Sequence, residues 1–129
     1  MAVTQKVTGQ WAADGLMIKD ARGLTLKTEG AGGFVASDLI LASVAGCSSA
    51  TLQALLRRDS RQTTSFNVSV EGDRVETTPR IYTHIRVHYV IKSPGLTEEQ
   101  LAHYVDTVGK VCPVIQSLKA KVVLTFELL

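Results

Sequence analysis

Two cysteines, Cys47 and Cys112, are the residues of this sequence whose types and positions could do chemistry. Cys47 lies in a long apolar segment among small neighbours, which would let another backbone approach its sulfur closely. Cys112 precedes Pro113, where a helix must kink or break and release backbone amides. Amide donors beside a sulfur stabilise the thiolate, which is the reactive form. Free cysteines also serve as small buried hydrophobes, and position alone leaves both interpretations open.

The length and composition predict one soluble domain. A chain of 129 residues has the usual size of one domain, so we expect a single unit over 1–129. The net charge of +2 is spread along the chain, which argues against a nucleic-acid partner. We see no run approaching the roughly 20 apolar residues of a membrane span, and Met1 to Lys6 lack the plan of a signal peptide. The expected location is therefore the cytoplasm, where two thiols favour a transient redox role.

Hydrophobic periodicity and turn residues predict an α+β fold with the order β-β-β-α-β-β-α-β. In the strand near residue 85, the odd-numbered residues from Ile81 to Ile91 should face inward. The order suggests an antiparallel sheet folded around two helices. The predicted strands are Val3–Trp11, Leu16–Lys19, Leu24–Thr28, Thr64–Glu71, Ile81–Ile91 and Lys121–Leu128.

The two predicted helices differ in character. The first, Ser37 to Arg58, is apolar or small on every face, so it must be buried on all sides. In a chain of this size that requires a covering sheet or a second subunit, which predicts a homodimer. The second helix opens at Thr97, which can form a capping box with Gln100, and it should break at Pro113.

Two motifs around the cysteines resemble the signatures of the OsmC/Ohr (organic hydroperoxide resistance) family. Ser37 to Cys47 reads SDLILASVAGC, similar to the family's first signature, in which an acidic residue, leucines, alanines and a glycine precede the peroxide-reacting cysteine. Val111 to Leu118 reads VCPVIQSL, similar to the second signature, a Cys-Pro after a helix. The predicted element order also agrees over nearly the whole chain.

This resemblance implies an OsmC-like fold, an intertwined homodimer whose sheet wraps around two central helices. It further implies that Cys47 attacks an organic hydroperoxide and becomes a sulfenic acid. Cys112 would then condense with Cys47 to form a disulfide. An external dithiol, in that family typically a lipoylated protein, would reduce the disulfide. The resemblance implies no cofactor.

The sequence departs from the family's pattern at two further positions. Characterised reductases of the family use an arginine between the first two strands and a glutamate at the start of the first helix. The loop Trp11 to Gly15 has no arginine, and Arg22 in the next turn is the candidate substitute. Asp38 holds the acidic position, yet an ideal helix puts it roughly 13 Å along the axis from Cys47, so it is equally interpreted as a helix-capping residue.

The missing arginine keeps a second function open. It favours a catalytically weak dimer that binds a small apolar ligand at its interface, whereas retention of both cysteines favours the enzyme. Other motifs predict no site. His84 and His88 lie about 13 Å apart along one strand, too far to share a metal ion. The segment Gly30 to Gly33 lacks the lysine of a phosphate loop and is interpreted as a flexible connection.

Overall fold

The structure is a computed structural model that describes residues 2–129, so Met1 of the N-terminal segment considered above lies outside the described residues. The chain divides into two compact units, one running to Ile40 and the other spanning Leu41–Leu129. The prediction of a single domain over 1–129 stays a prediction. The elements are β1 (Val7–Ala12), β2 (Gly15–Asp20), β3 (Thr25–Thr28), α1 (Ala36–Arg58), β4 (Ser65–Arg74), β5 (Tyr82–Lys92), α2 (Glu98–Val111), α3 (Pro113–Gln116) and β6 (Lys121–Leu128).

The first unit is an antiparallel meander of β1, β2 and β3. The three predicted strands are confirmed, although β1 begins at Val7 rather than at Val3. The turn between β2 and β3 is organised by Asp20, whose carboxylate accepts the backbone N–H groups of Arg22 and Leu24, each at 2.9 Å. Asp at the start of a tight turn commonly makes such bonds to the backbone that follows.

The glycine-rich segment after β3 forms a hydrogen-bonded turn, and its interpretation as a flexible connection stays a prediction. Gly30 has a φ of +71°, and a Cβ atom built there would lie 1.7 Å from the carbonyl oxygen of Asp14. The Lys27 ammonium lies 3.2 Å from the Asp14 carboxylate and donates to the Ala31 carbonyl at 2.7 Å. Only glycine combines this left-handed backbone with so close an approach.

The sheet of the second unit has the order β4-β5-β6. β4 pairs with β5 in the antiparallel direction, as predicted. β6 pairs with β5 in the parallel direction, so the prediction of a purely antiparallel sheet was wrong for this pair. The cause is the helical connection, since α2 and α3 carry the chain back before β6 begins and such a crossover is what parallel neighbours need.

The core of the second unit lies between this sheet and its helices. Four residues of β5, Ile85, Val87, Tyr89 and Ile91, are completely buried, which confirms the predicted alternation. Ile81 was predicted to face inward but is 54% exposed, because it precedes the strand. Its backbone instead closes the β4–β5 turn. The helices supply Val44, Leu52, Leu56, Leu101, Val105 and Val108.

Helix α1 buries one stripe rather than its whole circumference within this chain. Val44, Ser48, Leu52 and Leu56, spaced four residues apart, are completely buried, whereas Ile40 is 39% exposed. By length and composition alone α1 could cross a bilayer, so the prediction that no segment approaches the length of a membrane span was wrong. A core helix of a soluble protein meets the same criterion, and a single stripe packed on the core is typical of such a helix.

Candidate active site

The chain conformation at Cys112 follows from the proline after it. The Cys112 backbone is extended, with φ −66° and ψ 116°, because Pro113 disfavours the helical region for the residue before it. Helix α2 ends there, and α3 begins at Pro113, where a proline is well tolerated. The predicted break is therefore confirmed. Cys112 is completely buried at the junction of the two helices.

Cys47 lies in the fourth turn of α1, next to the buried stripe, and is partly buried. Its neighbour Gly46 leaves room on the helix surface, since a Cβ atom built there would meet no atom of the described residues within 4 Å. The thiols of Cys47 and Cys112 lie close enough to interact, and both are free. The structure thus brings together the two cysteines singled out from the sequence.

The ionisation of Cys112 reflects competing influences. Burial, the largest, raises the pKa of its thiol, and the neighbouring Cys47 side chain raises it further. The backbone N–H groups of Ile115 and Val114 favour the thiolate and lower the pKa, although neither completes a capping hydrogen bond to the sulfur. The net shift is upward. Cys112 is therefore a protonated thiol at neutral pH.

Two completely buried residues with hydroxyl groups, Ser48 and Tyr89, were not singled out from the sequence. Ser48 follows Cys47 on α1, and Tyr89 projects from β5; both residues are 0% exposed. Burial raises the pKa of Tyr89, the Ser48 side chain lowers it, and the charge of a Cys112 thiolate raises it. Yet neither Tyr89 Oη nor Ser48 Oγ has a partner at full hydrogen-bond geometry within the described residues.

Such unpartnered hydroxyls are costly. A buried polar group without a partner destabilises a fold by about 1–3 kcal/mol, so native structures contain few of them. The available signal for Ser48 was its position four residues after Val44, on the stripe that faces the core. Tyr89 gave no signal of its own, because alternation along β5 predicts burial of the ring and says nothing about the hydroxyl.

Asp38 and Arg22 have local partners in the first unit. Asp38 lies exposed in the first turn of α1, where its N–H donates to the Val35 carbonyl at 2.9 Å. Arg22 lies exposed in the β2–β3 turn, with its guanidinium 3.3 Å from the Asp20 carboxylate. A second acidic residue, Glu29, accepts the N–H of Ala36 at 3.1 Å, so the start of α1 has a carboxylate that the sequence reasoning overlooked.

The two strand histidines bind neighbouring hydroxyls. His84 Nδ1 lies 3.0 Å from Thr83 Oγ1, and His88 Nδ1 lies 2.7 Å from Thr125 Oγ1 on β6. Across residues 2–129, no three His, Cys, Asp or Glu side chains are grouped as a metal ion would require.

Fold and thiol pair together define a class of protein. The chain belongs to the OsmC-like protein family, whose model matches residues 28–127. It is 27% identical over 89 residues to protein YhfA of Escherichia coli, a match that covers 68% of this chain and 66% of that relative. The chain thus spans just under two thirds of the length of the curated relatives it matches.

Solved structures have the same fold. An OsmC-like protein from Mycoplasma pneumoniae superposes with a TM-score of 0.84 and 19% identity, covering 100% of this chain and 98% of that one. An organic hydroperoxide resistance protein from Elizabethkingia anophelis, with crystallant-derived thiocyanate bound, superposes with a TM-score of 0.74 and 17% identity, covering 100% and 99%. These likenesses confirm the predicted OsmC-like α+β fold.

Proposed function

We propose that this protein is a thiol-dependent peroxidase that reduces organic hydroperoxides. The observation that carries the proposal is the contact between the thiols of Cys47 and Cys112. Membership of the OsmC-like family supports it, and so does the likeness to a protein named for organic hydroperoxide resistance. Reduction of one peroxide consumes two electrons. Two neighbouring thiols supply them when they form a disulfide.

Cys47 is the proposed attacking residue. Its thiolate attacks one peroxide oxygen, an S–O bond forms as the O–O bond breaks, and the departing alkoxide takes a proton to become an alcohol. Cys47 is then a sulfenic acid. The partial exposure of Cys47 favours this role. The raised pKa and complete burial of Cys112 make it the poorer nucleophile in the resting protein.

Cys112 is the proposed resolving residue. Its sulfur attacks the oxidised sulfur of Cys47, an S–S bond forms, and the S–O bond breaks. The departing hydroxide leaves as water with the proton of the Cys112 thiol. An external dithiol, in our proposal a lipoylated protein, then reduces the disulfide and becomes a disulfide itself. No cofactor takes part in this sequence.

The proposed working form is a cytoplasmic homodimer. Members of this family are typically dimers, and α1 leaves apolar and small residues outside its buried stripe in a single chain. A second subunit would cover that surface. We propose Asp38 and Arg22 as the acidic and basic groups of the mechanism.

Mass spectrometry after one equivalent of an alkyl hydroperoxide tests the proposal. The fully reduced protein should lose two hydrogens as the Cys47–Cys112 disulfide closes, and a dithiol should restore the starting mass. A protein denatured before peroxide addition is the control for nonspecific thiol oxidation. If the folded protein reacts no faster than the denatured one, the peroxidase proposal fails.

One observation favours a second function in that event. The β1–β2 turn, Ala13 and Asp14, has no arginine, and Arg22 is paired with Asp20. A protein that leaves both cysteines reduced under peroxide would then be a dimer that binds a small apolar ligand at its interface.

A further inference from the structure

The break between α2 and α3 takes away the helical partner of one backbone group. The Cys112 N–H still donates to the Val108 carbonyl, four residues earlier, at 2.9 Å. In a continuous helix the next N–H would donate to the carbonyl of Gly109. The next residue is Pro113, which has no N–H, so the Gly109 carbonyl loses that donor. A carbonyl freed in this way at a helix end takes a partner from elsewhere.

The Gln116 side chain supplies the missing donor. Its Nε2 donates to the Gly109 carbonyl oxygen at 2.7 Å. Its backbone N–H donates to the Cys112 carbonyl at 3.0 Å. Gln116 thus bonds to α2 and to the residue at the break, although it follows Pro113 in the chain. The residue is exposed, so its side chain acts here through this bond rather than through burial in the core.

The other contacts of α3 hold it less directly to α2. The helix is a single turn of four residues, and a helix this short has little stability of its own. Ile115 anchors it to the core, being only 8% exposed. Ser117 Oγ donates to the Pro113 carbonyl at 2.7 Å, but this bond stays on the α3 side of the break. The Gln116 side chain, in contrast, crosses the break.

The orientation of the break matters because Cys112 lies there, completely buried. A disulfide closes only within a narrow range of Cα separations and torsion angles. A junction that swings freely would spend part of its time with the Cys112 sulfur outside that range. The Gln116 bond restricts the swing and raises the fraction of reduced molecules that are ready to close. The tendency to close rises in proportion to that fraction.

We propose that Gln116 is a positioning residue whose side-chain amide, by bridging the break at Pro113, holds Cys112 ready for disulfide formation. The inference rests on the proposed peroxidase function and concerns its resolving step. In this role Gln116 exchanges no atom or electron with the peroxide or with either sulfur. The balance of the disulfide-forming step is therefore the one given above.

Equilibration of the protein with reduced and oxidised glutathione tests the proposal without any peroxide. The position of equilibrium gives the effective concentration of the Cys47 and Cys112 thiols for each other. Gln116→Met keeps the length of the side chain and removes the donor. It should lower the effective concentration about fivefold, the effect of one neutral hydrogen bond of ordinary strength.

Two further variants separate the donor from the rest of the side chain. Gln116→Glu places a carboxylate against the Gly109 carbonyl and should lower the effective concentration at least as far. Gln116→Lys restores a donor of similar reach and should recover most of the loss. Met, Glu, Lys and Gln have similar helix propensities, so these differences do not come from α3 itself. An effective concentration that is equal in all three variants and the wild type overturns the assignment.

Ser117→Ala is the matched control. It removes another hydrogen bond from an exposed side chain to the backbone, but the Pro113 carbonyl keeps the Ser117 N–H at 3.1 Å. The effective concentration should stay close to that of the wild type, whatever stability this variant loses in urea unfolding of the reduced protein. An equal fall in Ser117→Ala and Gln116→Met would show a general loosening of α3 and overturn the role of Gln116.

Peroxide measurements on the same variants separate failure of this inference from failure of the proposed function. In Gln116→Met, the Cys47 sulfenic acid should form at the wild-type rate and the disulfide should then close more slowly. An active peroxidase whose glutathione equilibrium ignores Gln116 overturns the role of Gln116 alone. A shifted equilibrium in a protein inert to peroxide supports the hold on Cys112 and rejects the peroxidase. A wild type that forms no Cys47–Cys112 disulfide at any glutathione ratio overturns both.

Discussion

The Cys112 thiol is buried beside the Cys47 thiol, and its pKa is raised by burial first and by that neighbour second. A group whose pKa is higher in the folded state than in the unfolded chain holds its proton more tightly when folded. Stability from such a group is fully present below the unfolded pKa and is lost as the pH rises toward the folded pKa. For a cysteine that window opens at about pH 8.5.

We therefore predict that the reduced protein loses stability as the pH rises above about 8.5. Urea unfolding between neutral and alkaline pH should show a falling free energy of unfolding. Cys112→Ala should flatten the first part of this fall. Cys47→Ala should keep most of it, because burial is the larger cause of the Cys112 shift. Tyr89, whose pKa is also raised by burial, should extend the fall at higher pH. A wild-type profile that is flat across the range would contradict the prediction.

Two glycines of the turn after β3 give a matched pair of variants. Gly30 and Gly32 both have positive φ, +71° and +77°, so alanine is strained at either position. At Gly32 the new Cβ meets nothing within 4 Å, whereas at Gly30 it would lie 1.7 Å from the Asp14 carbonyl oxygen. Gly32→Ala should cost about 1 kcal/mol of unfolding free energy from the backbone alone. Gly30→Ala should cost clearly more, over about 2 kcal/mol, since the Asp14 turn must move. Equal losses in urea unfolding would show that the close approach does not matter.

Local signals in the sequence predicted the elements well. The capping box at α2 is present in both directions, with Thr97 Oγ1 accepting from the Gln100 N–H at 3.1 Å and the Thr97 N–H donating to Gln100 Oε1 at 3.0 Å. The break at Pro113 and the alternation in β5 have the same local origin. Each of these features depends on residues only a few positions apart, so the local sequence is enough to predict it.

Features that depend on distant segments were missed. The parallel pairing of β6 with β5 depends on where α2 and α3 return the chain. The burial of Tyr89 and Cys112 in one core follows only once β5 packs against the helices. A single sequence predicts which face of a strand is buried, but not which atoms of other elements contact that face. The contact of Cys47 with Cys112 was expected only through the family resemblance.

The apolar surface that α1 leaves in a single chain predicts a homodimer in solution. Ile40 is 39% exposed, and exposed small residues, Ala42, Ser43 and Gly46, continue along the same helix. In a monomer, the apolar face of this 23-residue helix would be exposed to water, which is unfavourable. Sedimentation equilibrium at micromolar concentration should give twice the chain mass. A stable, folded monomer under those conditions would contradict the intertwined-dimer hypothesis.

Serine variants of the two cysteines should separate attack from resolution. Cys47→Ser should abolish peroxide consumption, because the completely buried Cys112, with its raised pKa, cannot replace the more exposed Cys47 sulfur. Cys112→Ser should still permit one oxidation, leaving Cys47 as a sulfenic or sulfinic acid, but should block turnover with a dithiol. Peroxide consumption with a dithiol measures turnover, and mass spectrometry of each variant identifies the trapped species. Full turnover by Cys47→Ser, or oxidation of Cys112 alone in the wild type, would reverse the assignment, since the residue that oxidises first is the one that meets the peroxide.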